Sequence, residues 1–326
     1  MILVTGGAGF IGSILVAALE ARGERIVVCD RFGTDDKWRN LAKRDLANIV
    51  VPEQIFDYLA CDKDNIEVIF HLGAISSTTE TDADLIVDTN FRLSCSLWRW
   101  CRDHAKRLIY ASSAATYGDG TNGFKDNDSV AALAHLRPLN AYGWSKHLFD
   151  RWVQRQKEDK AAMPPQVAGL KFFNVYGPNE YHKGGQRSVA EQIYPFAARG
   201  EAFPLFKSCR KDYADGGQMR DFVWVGDCVA IMLWLLDHPG VSGLFNVGSG
   251  KARSFADLAK AVYVAAGTEP KITFRDMPEA MRDRYQYFTE ADLGKLRSAG
   301  YTASMTSLED GVAQYVRYLA AEDRYM

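Results

Sequence analysis

The 326-residue sequence predicts an α/β protein built on a parallel, doubly wound sheet, with a smaller mixed α/β domain formed by its C-terminal half. Three observations predict this class. Short runs of β-branched and aliphatic residues alternate with segments of helical periodicity in the first half of the chain. The first run ends in a glycine-rich turn, and later runs end in small or hydroxyl-bearing residues. Such residues suit the carboxyl edge of a parallel sheet, where ligands bind.

Composition and charge restrict the possible function classes. The chain is 47% apolar and 25% charged, and its net charge of -2 gives no reason to expect nucleic acid or a membrane surface as a partner. The six cysteines show no zinc-like spacing, so no metal site is expected. The chain enters its first strand at once, without room for a cleavable signal, and no apolar stretch approaches the ~20 residues of a membrane span. We therefore expect a soluble, cytoplasmic protein.

The first predicted strand, residues 2–4, runs into a glycine loop, and an amphipathic helix follows that ends near Gly23. The glycines fit two overlapping frames, Gly7-x-Gly9-x-x-Gly12 and Gly6-x-x-Gly9-x-x-Gly12. Either frame lets the backbone approach a pyrophosphate at the positive end of the helix. The order of strand, glycine loop and helix therefore predicts a dinucleotide site.

The second strand, residues 25–29, ends at Asp30, about 20 residues beyond the loop, as a dinucleotide fingerprint requires. A carboxylate there accepts hydrogen bonds from the adenosine ribose, which favours NAD. Arg31 and Lys37 are able to neutralise a 2′-phosphate, and on their account we expect NADP. The alternative is that both are solvated loop charges. Residues 40–66 predict a helix and an irregular connection.

The next strand, residues 68–74, ends in small residues that suit the floor of a cofactor site. Within it, His71 is expected to be a hydrogen-bonded core histidine. Residues 76–79 either contact a ligand or cap the following helix, at about 82–104. Asn90 in that helix either faces solvent or holds the cofactor loops by hydrogen bonds.

A strand at residues 108–112 runs into a serine pair at the edge that carries the glycine loop. Ser113 there is able to hydrogen-bond a substrate carbinol oxygen as it becomes a ketone. Ser112 is the alternative, and both are able to cap a helix. Further on, Tyr142 and Lys146 are four residues apart, so they share one helix face. A nearby ammonium favours the phenolate, so we expect Lys146 to lower the pKa of Tyr142 toward the useful range.

The glycine fingerprint, the Ala111-Ser112-Ser113 run and Tyr142-x-x-x-Lys146 together resemble the extended short-chain dehydrogenase/reductase superfamily over almost the full chain. The resemblance implies a Rossmann-type sheet in which Tyr142 is the acid/base, Lys146 is its pKa modulator and ribose anchor, and Ser113 clamps the substrate hydroxyl. The expected cofactor contacts are Gly6, Gly9, Phe10, Ile11, Gly12, Asp30, Arg31, Lys37, Leu72, Gly73, Ala74, Ile75, Ser76, Asn90, Tyr142, Lys146, Val175 and Lys183.

The same resemblance implies two domains. Residues 1–173 are expected to form the NADP-binding domain, with about 221–248 returning to its sheet. About 174–220 and 249–326 are expected to form the substrate-binding domain.

Three segments match a narrower family. They are Ser76-Ser77-Thr78-Thr79-Glu80, Phe172 to Pro178 with His182-Lys183-Gly184, and Arg284-Tyr285-Gln286 with Phe288-Thr289. With Asn140-x-Tyr142-Gly143-x-Ser145-Lys146, they resemble the ADP-L-glycero-D-manno-heptose 6-epimerases. That family implies NADP-dependent oxidation at C6 of the heptose of an ADP-heptose, return of hydride to the opposite face, and a homo-oligomer, with pentamers implied.

In this family a second acid/base falls on Lys183; the alternative is a cation that binds pyrophosphate. The expected substrate contacts are Ser113, Asn174, Gly185, Gln192, Phe206, Arg220 and Tyr285, with Arg220 a candidate for the ADP diphosphate. The sequence departs from the family at Gly185 and Gln192, where serine and histidine are more usual. The loop between Phe206 and Arg220 is also longer than expected.

Two other functions fit the broad motifs. A nucleotide-sugar 4,6-dehydratase needs an extra acid and base just after the serine strand, where Ala114 and Ala115 cannot move a proton. A UDP-sugar 4-epimerase leaves the His182-Lys183-Gly184 and Arg284-Tyr285-Gln286 segments unexplained. A non-catalytic dinucleotide sensor is the remote alternative, since such proteins generally lose the tyrosine or the lysine that this chain keeps.

Overall fold

The computed structural model describes residues 1–282 and 285–326, and it has an α/β architecture. Seven strands form one parallel sheet in the order β10-β6-β5-β4-β1-β2-β3. The strands of the described chain are β1 Ile2–Thr5, β2 Ile26–Cys29, β3 Asn48–Val50, β4 Val68–His71, β5 Arg107–Ser113, β6 Val167–Phe172, β7 Asn174–Tyr176, β8 Phe203–Phe206, β9 Met219–Trp224, β10 Gly243–Val247, β11 Ala252–Ser254 and β12 Ile272–Arg275.

Helices cover both faces of this sheet and build most of the C-terminal part. They are α1 Phe10–Ala21, α2 Ile55–Asp62, α3 Ala83–Ile86, α4 Leu93–Asp103, α5 Val130–Leu133, α6 Ala141–Glu158, α7 Val189–Ala198, α8 Val225–Asp237, α9 Phe255–Ala265, α10 Glu279–Arg282, α11 Gly294–Ser298 and α12 Leu308–Ala320. Short 3₁₀ segments lie at Asp36–Leu41, Pro52–Gln54, Ala114–Tyr117 and Tyr181–Gln186, and a π-helical turn at Val87–Arg92 joins α3 to α4.

The central strands read as apolar runs because both faces of the sheet are covered. All four residues of β1, β2 and β4 are buried, as are all six residues of β6. The chain order reverses at β1, whose two neighbours are β2 and β4. This switch point opens a crevice at the carboxyl ends of the strands, where the glycine loop after β1 and the loop after β4 meet.

The second half adds two small sheets. β7, β9 and β11 form one, and β8 pairs with β12 in the other. Only β10 of the segment 221–248 joins the seven-stranded sheet, because β9 pairs with β7 instead. Helix α8 of the same segment lies against α1. The boundaries of the two domains remain a prediction.

Residues 40–66 hold more regular structure than the sequence predicts. Besides α2, they contribute the edge strand β3, whose Val50 pairs with Cys29. The helix predicted at 82–104 is present as α3, the π turn and α4, which run consecutively from residue 83 to residue 103. Across the described residues, we find no helix with the length and apolar character needed to traverse a bilayer.

Candidate active site

The glycine loop between β1 and α1 brings backbone closer together than any side chain would allow. Gly6 has a φ of +69°, and a Cβ there would lie 2.6 Å from the backbone nitrogen of Gly73. A Cβ on Gly12 would lie 2.1 Å from the carbonyl oxygen of Gly6. The loop therefore presses against both the start of α1 and the end of β4, and it leaves the helix N-terminus open to a phosphate. This cradle fits the pyrophosphate of a dinucleotide.

Asp30 follows β2 and binds its own chain on both oxygens. Its Oδ2 accepts from the backbone nitrogen of Ala8 at 2.9 Å, inside the glycine loop. Its Oδ1 accepts from Lys37 Nζ and from the backbone nitrogen of Arg31, each at 2.7 Å. Arg31 itself forms an ion pair with Glu53. Asp30 therefore already accepts three hydrogen bonds from its own chain, which leaves little capacity for ribose hydroxyls. The positive charge of Lys37 offsets the negative charge of the Asp30 carboxylate.

A cavity of about 330 Å³ joins the glycine loop to the predicted catalytic residues. Its lining includes most of the predicted cofactor contacts, namely Gly6, Gly9, Phe10, Ile11, Gly12, Asp30, Lys37, Leu72, Gly73, Ala74, Ser76, Tyr142, Lys146, Val175 and Lys183, together with Ser113. Arg31 and Ile75 line a second cavity, of about 470 Å³, which shares Gly6, Asp30 and Lys37 with the first. The predicted residues therefore surround one continuous region at the sheet edge.

Tyr142 and Lys146 lie in the first turns of α6, which Asn140 caps by accepting from the nitrogen of Gly143 at 2.8 Å. Burial has the largest effect on the pKa of Tyr142 in this structure, and the expected effect of Lys146 remains a prediction. Burial raises the pKa of Tyr142, the neighbouring Ser113 hydroxyl lowers it, and the charge of Asp150 raises it further. Burial also lowers the pKa of Lys146 to about 8, against the opposing effect of Asp150. Desolvation of both groups outweighs their proximity.

The structure distinguishes the two serines at the end of β5. Ser112 lines the cavity, but its hydroxyl donates to Asp150 Oδ2 at 2.7 Å. Ser113 accepts from the nitrogen of Ala115 at 3.1 Å and lines the cavity beside Tyr142, so it both caps the 3₁₀ turn and faces the cavity. Ser113 is therefore the hydroxyl available to a substrate.

His71 is a buried core histidine, as predicted. Ser94 donates to the carbonyl of Asn90 at 2.6 Å, so it accepts from His71 Nε2 at 2.8 Å. His71 Nδ1 then accepts from Thr5 at 2.7 Å, and Thr5 accepts from the nitrogen of Gly73. Burial lowers the pKa of His71 to about 3, so the ring is neutral. This chain of hydrogen bonds fixes the loop that follows β4.

Asn90 holds the same loop from the other side. Its side chain donates to the carbonyl of Ile75 at 2.9 Å and accepts from the nitrogen of Ile75 at 2.8 Å. It also donates to Ser145 of α6 at 3.0 Å. The sequence is compatible with Asn90 facing solvent or holding a loop. In the structure Asn90 is buried and hydrogen-bonded to Ile75, so it holds the loop. It reaches the cofactor region through Ile75 and lines neither cavity itself.

Lys183 reaches the same cavity from a different part of the chain, the 3₁₀ segment at residues 181–186. Its Nζ lies 5.3 Å from the ring centroid of Phe10, at the start of α1. Burial lowers the pKa of Lys183, and the charge of Glu180 opposes that shift. Two titratable groups, a phenol on α6 and an amine on this segment, therefore face one cavity.

The other predicted substrate residues lie outside that cavity. Arg220 is buried, donates to its neighbour's carbonyl at 2.8 Å, and lies 5.2 Å from the ring centroid of Tyr285 and 5.6 Å from that of Phe255. No carboxylate in the described chain forms an ion pair with it. Burial lowers the pKa of its guanidinium. Tyr285 also contacts Phe206, edge to face.

Asn174 and Gly185 are exposed, and Gln192 donates to the carbonyl of Arg187 at 2.8 Å. Arg284, part of one family-like segment, lies outside the described residues. The sequence did not assign four cavity-lining residues to the site: Ala111, Phe172, Phe173 and His182. The two phenylalanines and His182 lie in the family-like segments that contain Asn174 and Lys183. Their position next to these predicted site residues could have indicated that they also line the cavity.

Comparison with known proteins shows the family of the chain. Residues 2–248 match the NAD dependent epimerase/dehydratase family. The chain is 50% identical over 331 residues to the ADP-L-glycero-D-manno-heptose-6-epimerase of Nitratidesulfovibrio vulgaris, with both proteins covered in full. It is 46% identical over 336 residues to the protein of that name in Fusobacterium nucleatum, again with full coverage of both.

Solved structures show the same fold. The ADP-L-glycero-D-manno-heptose-6-epimerase of Helicobacter pylori superimposes with a TM-score of 0.79 at 28% identity, over 98% of this chain and 96% of that one. The UDP-glucose 4-epimerase of Thermus thermophilus, in complex with NAD, superimposes with a TM-score of 0.76 at 25% identity, over 97% of both chains.

The fold and the site define an enzyme of the nucleotide-sugar epimerase class that uses a nicotinamide dinucleotide, and the chain belongs to the NAD dependent epimerase/dehydratase family. Within it, the chain belongs with the ADP-L-glycero-D-manno-heptose-6-epimerases.

Proposed function

We propose that this enzyme converts ADP-D-glycero-D-manno-heptose to ADP-L-glycero-D-manno-heptose, with NADP, through a 6-keto sugar. The observation that carries the proposal is that Tyr142 and Lys183 line one cavity beside Ser113 and the glycine loop. Further support comes from relatives of that name at 46% and 50% identity over the full chain. The bound nicotinamide dinucleotide supplies the hydride acceptor and, afterwards, the hydride donor.

The chain's own residues handle the protons. One fixed base serves only one orientation of a hydroxyl, so inversion requires either rotation of the sugar or a second acid/base. Tyr142 removes the hydroxyl proton of one epimer, and Lys183 protonates the oxygen when the other epimer forms. When substrate is bound, Ser113 donates its single hydrogen bond to that oxygen instead of to Tyr142. The lowered pKa of Lys183 supports this role, because a desolvated amine exchanges its proton more readily near neutrality.

The preference for NADP rests on charge at the ribose end of the site. Lys37 offsets Asp30, and the exposed ion pair between Arg31 and Glu53 is of a kind that contributes only about 0–1 kcal/mol. Arg31 can therefore leave Glu53 and bind a 2′-phosphate at little cost in free energy. Mass spectrometry of the cofactor released on denaturation tests this, and release of NAD alone would overturn the preference.

The reaction itself is tested with Tyr142→Phe combined with Lys183→Met. We expect this variant to lose epimerisation of ADP-heptose while it keeps its cofactor. The matched control, Tyr318→Phe with Lys260→Met, removes the same groups on α12 and α9 and should turn over normally. Robust turnover by the first variant would refute the assignment of both residues.

The redox course has a separate signature. Because the C6 hydrogen leaves and returns as hydride, product formed in D₂O should carry no deuterium at C6, and no net reduction of added NADP should accumulate. Deuterium at C6 would instead indicate exchange of that hydrogen with solvent.

We also infer a homo-oligomer, pentameric by analogy, which light scattering during gel filtration would test.

A further inference from the structure

A fully buried ion pair lies behind the reacting groups. Lys171 of β6 and Asp150 of α6 are each 0% exposed, and Lys171 Nζ lies 2.9 Å from Asp150 Oδ2. Removing two charges from water costs several kcal/mol per ion in proteins, and apolar replacements are often no less stable. Stability alone is therefore a weak reason for this pair, and its surroundings suggest another.

The pair holds the chain on both sides of Ser113. Asp150 Oδ2 accepts from the Ser112 hydroxyl at 2.7 Å, so the residue before Ser113 is tied to α6. Lys171 donates to the Thr116 hydroxyl at 2.7 Å, and Thr116 donates to the carbonyl of Ser113 at 2.7 Å. The backbone of Ser113 is thus fixed through one carboxylate and one ammonium.

The same contacts set the distance between Ser113 and Tyr142. Asp150 shares a helix face with Tyr142 and Lys146, at intervals of four residues. Gly143, next to Tyr142, packs so closely on the 3₁₀ turn that a Cβ would lie 2.7 Å from the carbonyl oxygen of Ala115. Helix α6 and the end of β5 are therefore held together at two levels, by backbone contact at Gly143 and by the ion pair one turn beyond Lys146.

We propose that Asp150 and Lys171 are positioning residues for the reaction: the pair fixes the Ser113 hydroxyl against Tyr142 by tying β5, β6 and α6 together. The proposal deepens the proposed function, because it concerns the same site. It also extends beyond the residues that touch substrate or cofactor, since neither member of the pair lines the cavity.

Electrostatics supports the geometry. The carboxylate of Asp150 raises the pKa of both Tyr142 and Lys146. The other titratable groups that face the cavity come from several elements: Lys146 on α6, Lys183 and His182 on the 181–186 segment, and Asp30 and Lys37 at the far end. Loss of the pair should therefore alter the ionisation of Tyr142 as well as the placement of Ser113.

The test uses the full chain with Asp150→Asn and Lys171→Met together, so that no buried charge is left unpaired. Tyr142 is titrated by NMR with tyrosine labelled at Cζ, and Tyr142→Phe assigns its signal. A control, Glu20→Gln with Arg44→Met, removes a partly buried ion pair near the opposite end of α1 from the glycine loop. Thr116→Val serves as a second variant, because it breaks only the link from Lys171 to the Ser113 carbonyl.

We expect Thr116→Val, which keeps both charges, to titrate Tyr142 at higher pH than the wild type, because the Ser113 hydroxyl that lowers the pKa of Tyr142 is displaced. The double variant should lose up to about 100-fold in kcat, with a smaller change in KM. Thr116→Val should lower kcat with the cofactor retained, Lys171→Arg should recover most activity, and the control should match the wild type. An unchanged titration in Thr116→Val would overturn the proposal, as would wild-type kcat in that variant and in the double variant. The titration needs no substrate, so it decides the proposal even where wild-type protein fails to turn over ADP-heptose, a result that would refute the proposed function instead.

Discussion

Replacing Gly12 with alanine tests whether the glycine loop is a cofactor cradle or only a turn. The new Cβ would lie 2.1 Å from the carbonyl oxygen of Gly6, whereas ordinary contact begins near 3.4 Å. The atoms nearest to the new Cβ belong to the backbone of Gly6 and Gly7, which cannot move aside as a flexible side chain can. The loop and α1 must therefore separate by about 1 Å. Overpacking of this kind costs about 1–3 kcal/mol of folding stability. For a chain of 326 residues that corresponds to a fall in Tm of about 1–2 °C per kcal/mol.

The larger effect should be on cofactor binding. The displaced loop carries the backbone groups expected to bind pyrophosphate, and misplacement by 1 Å costs about 100-fold where geometry is demanding. We therefore expect the Kd for NADP to rise about 100-fold, or about 2.7 kcal/mol. Calorimetric titration of protein stripped of cofactor measures this directly.

Gly240→Ala is the matched control, because Gly240 has open space around its Cβ and no positive φ. It should bind cofactor like the wild type. If Gly12→Ala bound NADP within about twofold of the wild-type Kd, the argument from the cradle would be refuted.

Two further predictions follow from buried cations and rings. Arg220→Met should raise KM for ADP-heptose at least about tenfold with little change in kcat, because a guanidinium buried without a carboxylate suits a diphosphate. A steady-state comparison with the exposed Arg199→Met checks this, and equal KM values would contradict it. The pKa of His71 is depressed to about 3, so its contribution to stability is present above pH ~6.5 and is lost as pH falls toward 3, at up to about 1.4 kcal/mol per pH unit. Urea unfolding between pH 7 and 5 should therefore show a steeper loss in the wild type than in His71→Gln, and equal slopes would argue against a neutral, buried ring.

Much of the Rossmann-type half could be predicted because its signals are local. A glycine loop has to follow β1 for the backbone to approach Gly73, and Asp30 has to end β2 to reach Ala8. These relations depend on short sequence distances and on the direction of the strands. The sequence therefore predicted the sheet class, the cofactor edge and the face shared by Tyr142 and Lys146.

The rest depends on pairings between distant segments, which periodicity does not encode. β3 is only three residues long and has two exposed positions, so it lacks the apolar run of a central strand. β9 reads as a strand of the large sheet, yet it pairs with β7 and β11. Likewise, the sequence around Ser112 does not predict that its hydroxyl donates to Asp150. That hydrogen bond is the reason for assigning Ser113, and not Ser112, to the substrate.

The pKa of Tyr142 shows why spacing alone does not determine chemistry. A lysine four residues away predicts a more acidic phenol, but that inference assumes a charged amine and an accessible hydroxyl. In the folded chain Lys146 is itself desolvated, which lowers its pKa to about 8 and reduces its charged fraction as the pH rises above neutrality. The Ser113 hydroxyl is then the group of this chain that favours the phenolate. An oxidised nicotinamide ring adds a positive charge when the cavity holds cofactor, and it acts in the same direction. Activation of Tyr142 should therefore depend on the position of Ser113 at least as much as on Lys146, and Ser113→Ala should shift the titration of Tyr142 to higher pH in the NMR experiment that examines Asp150 and Lys171. If Ser113→Ala left the titration of Tyr142 unchanged, Lys146 would instead be the group that favours the phenolate.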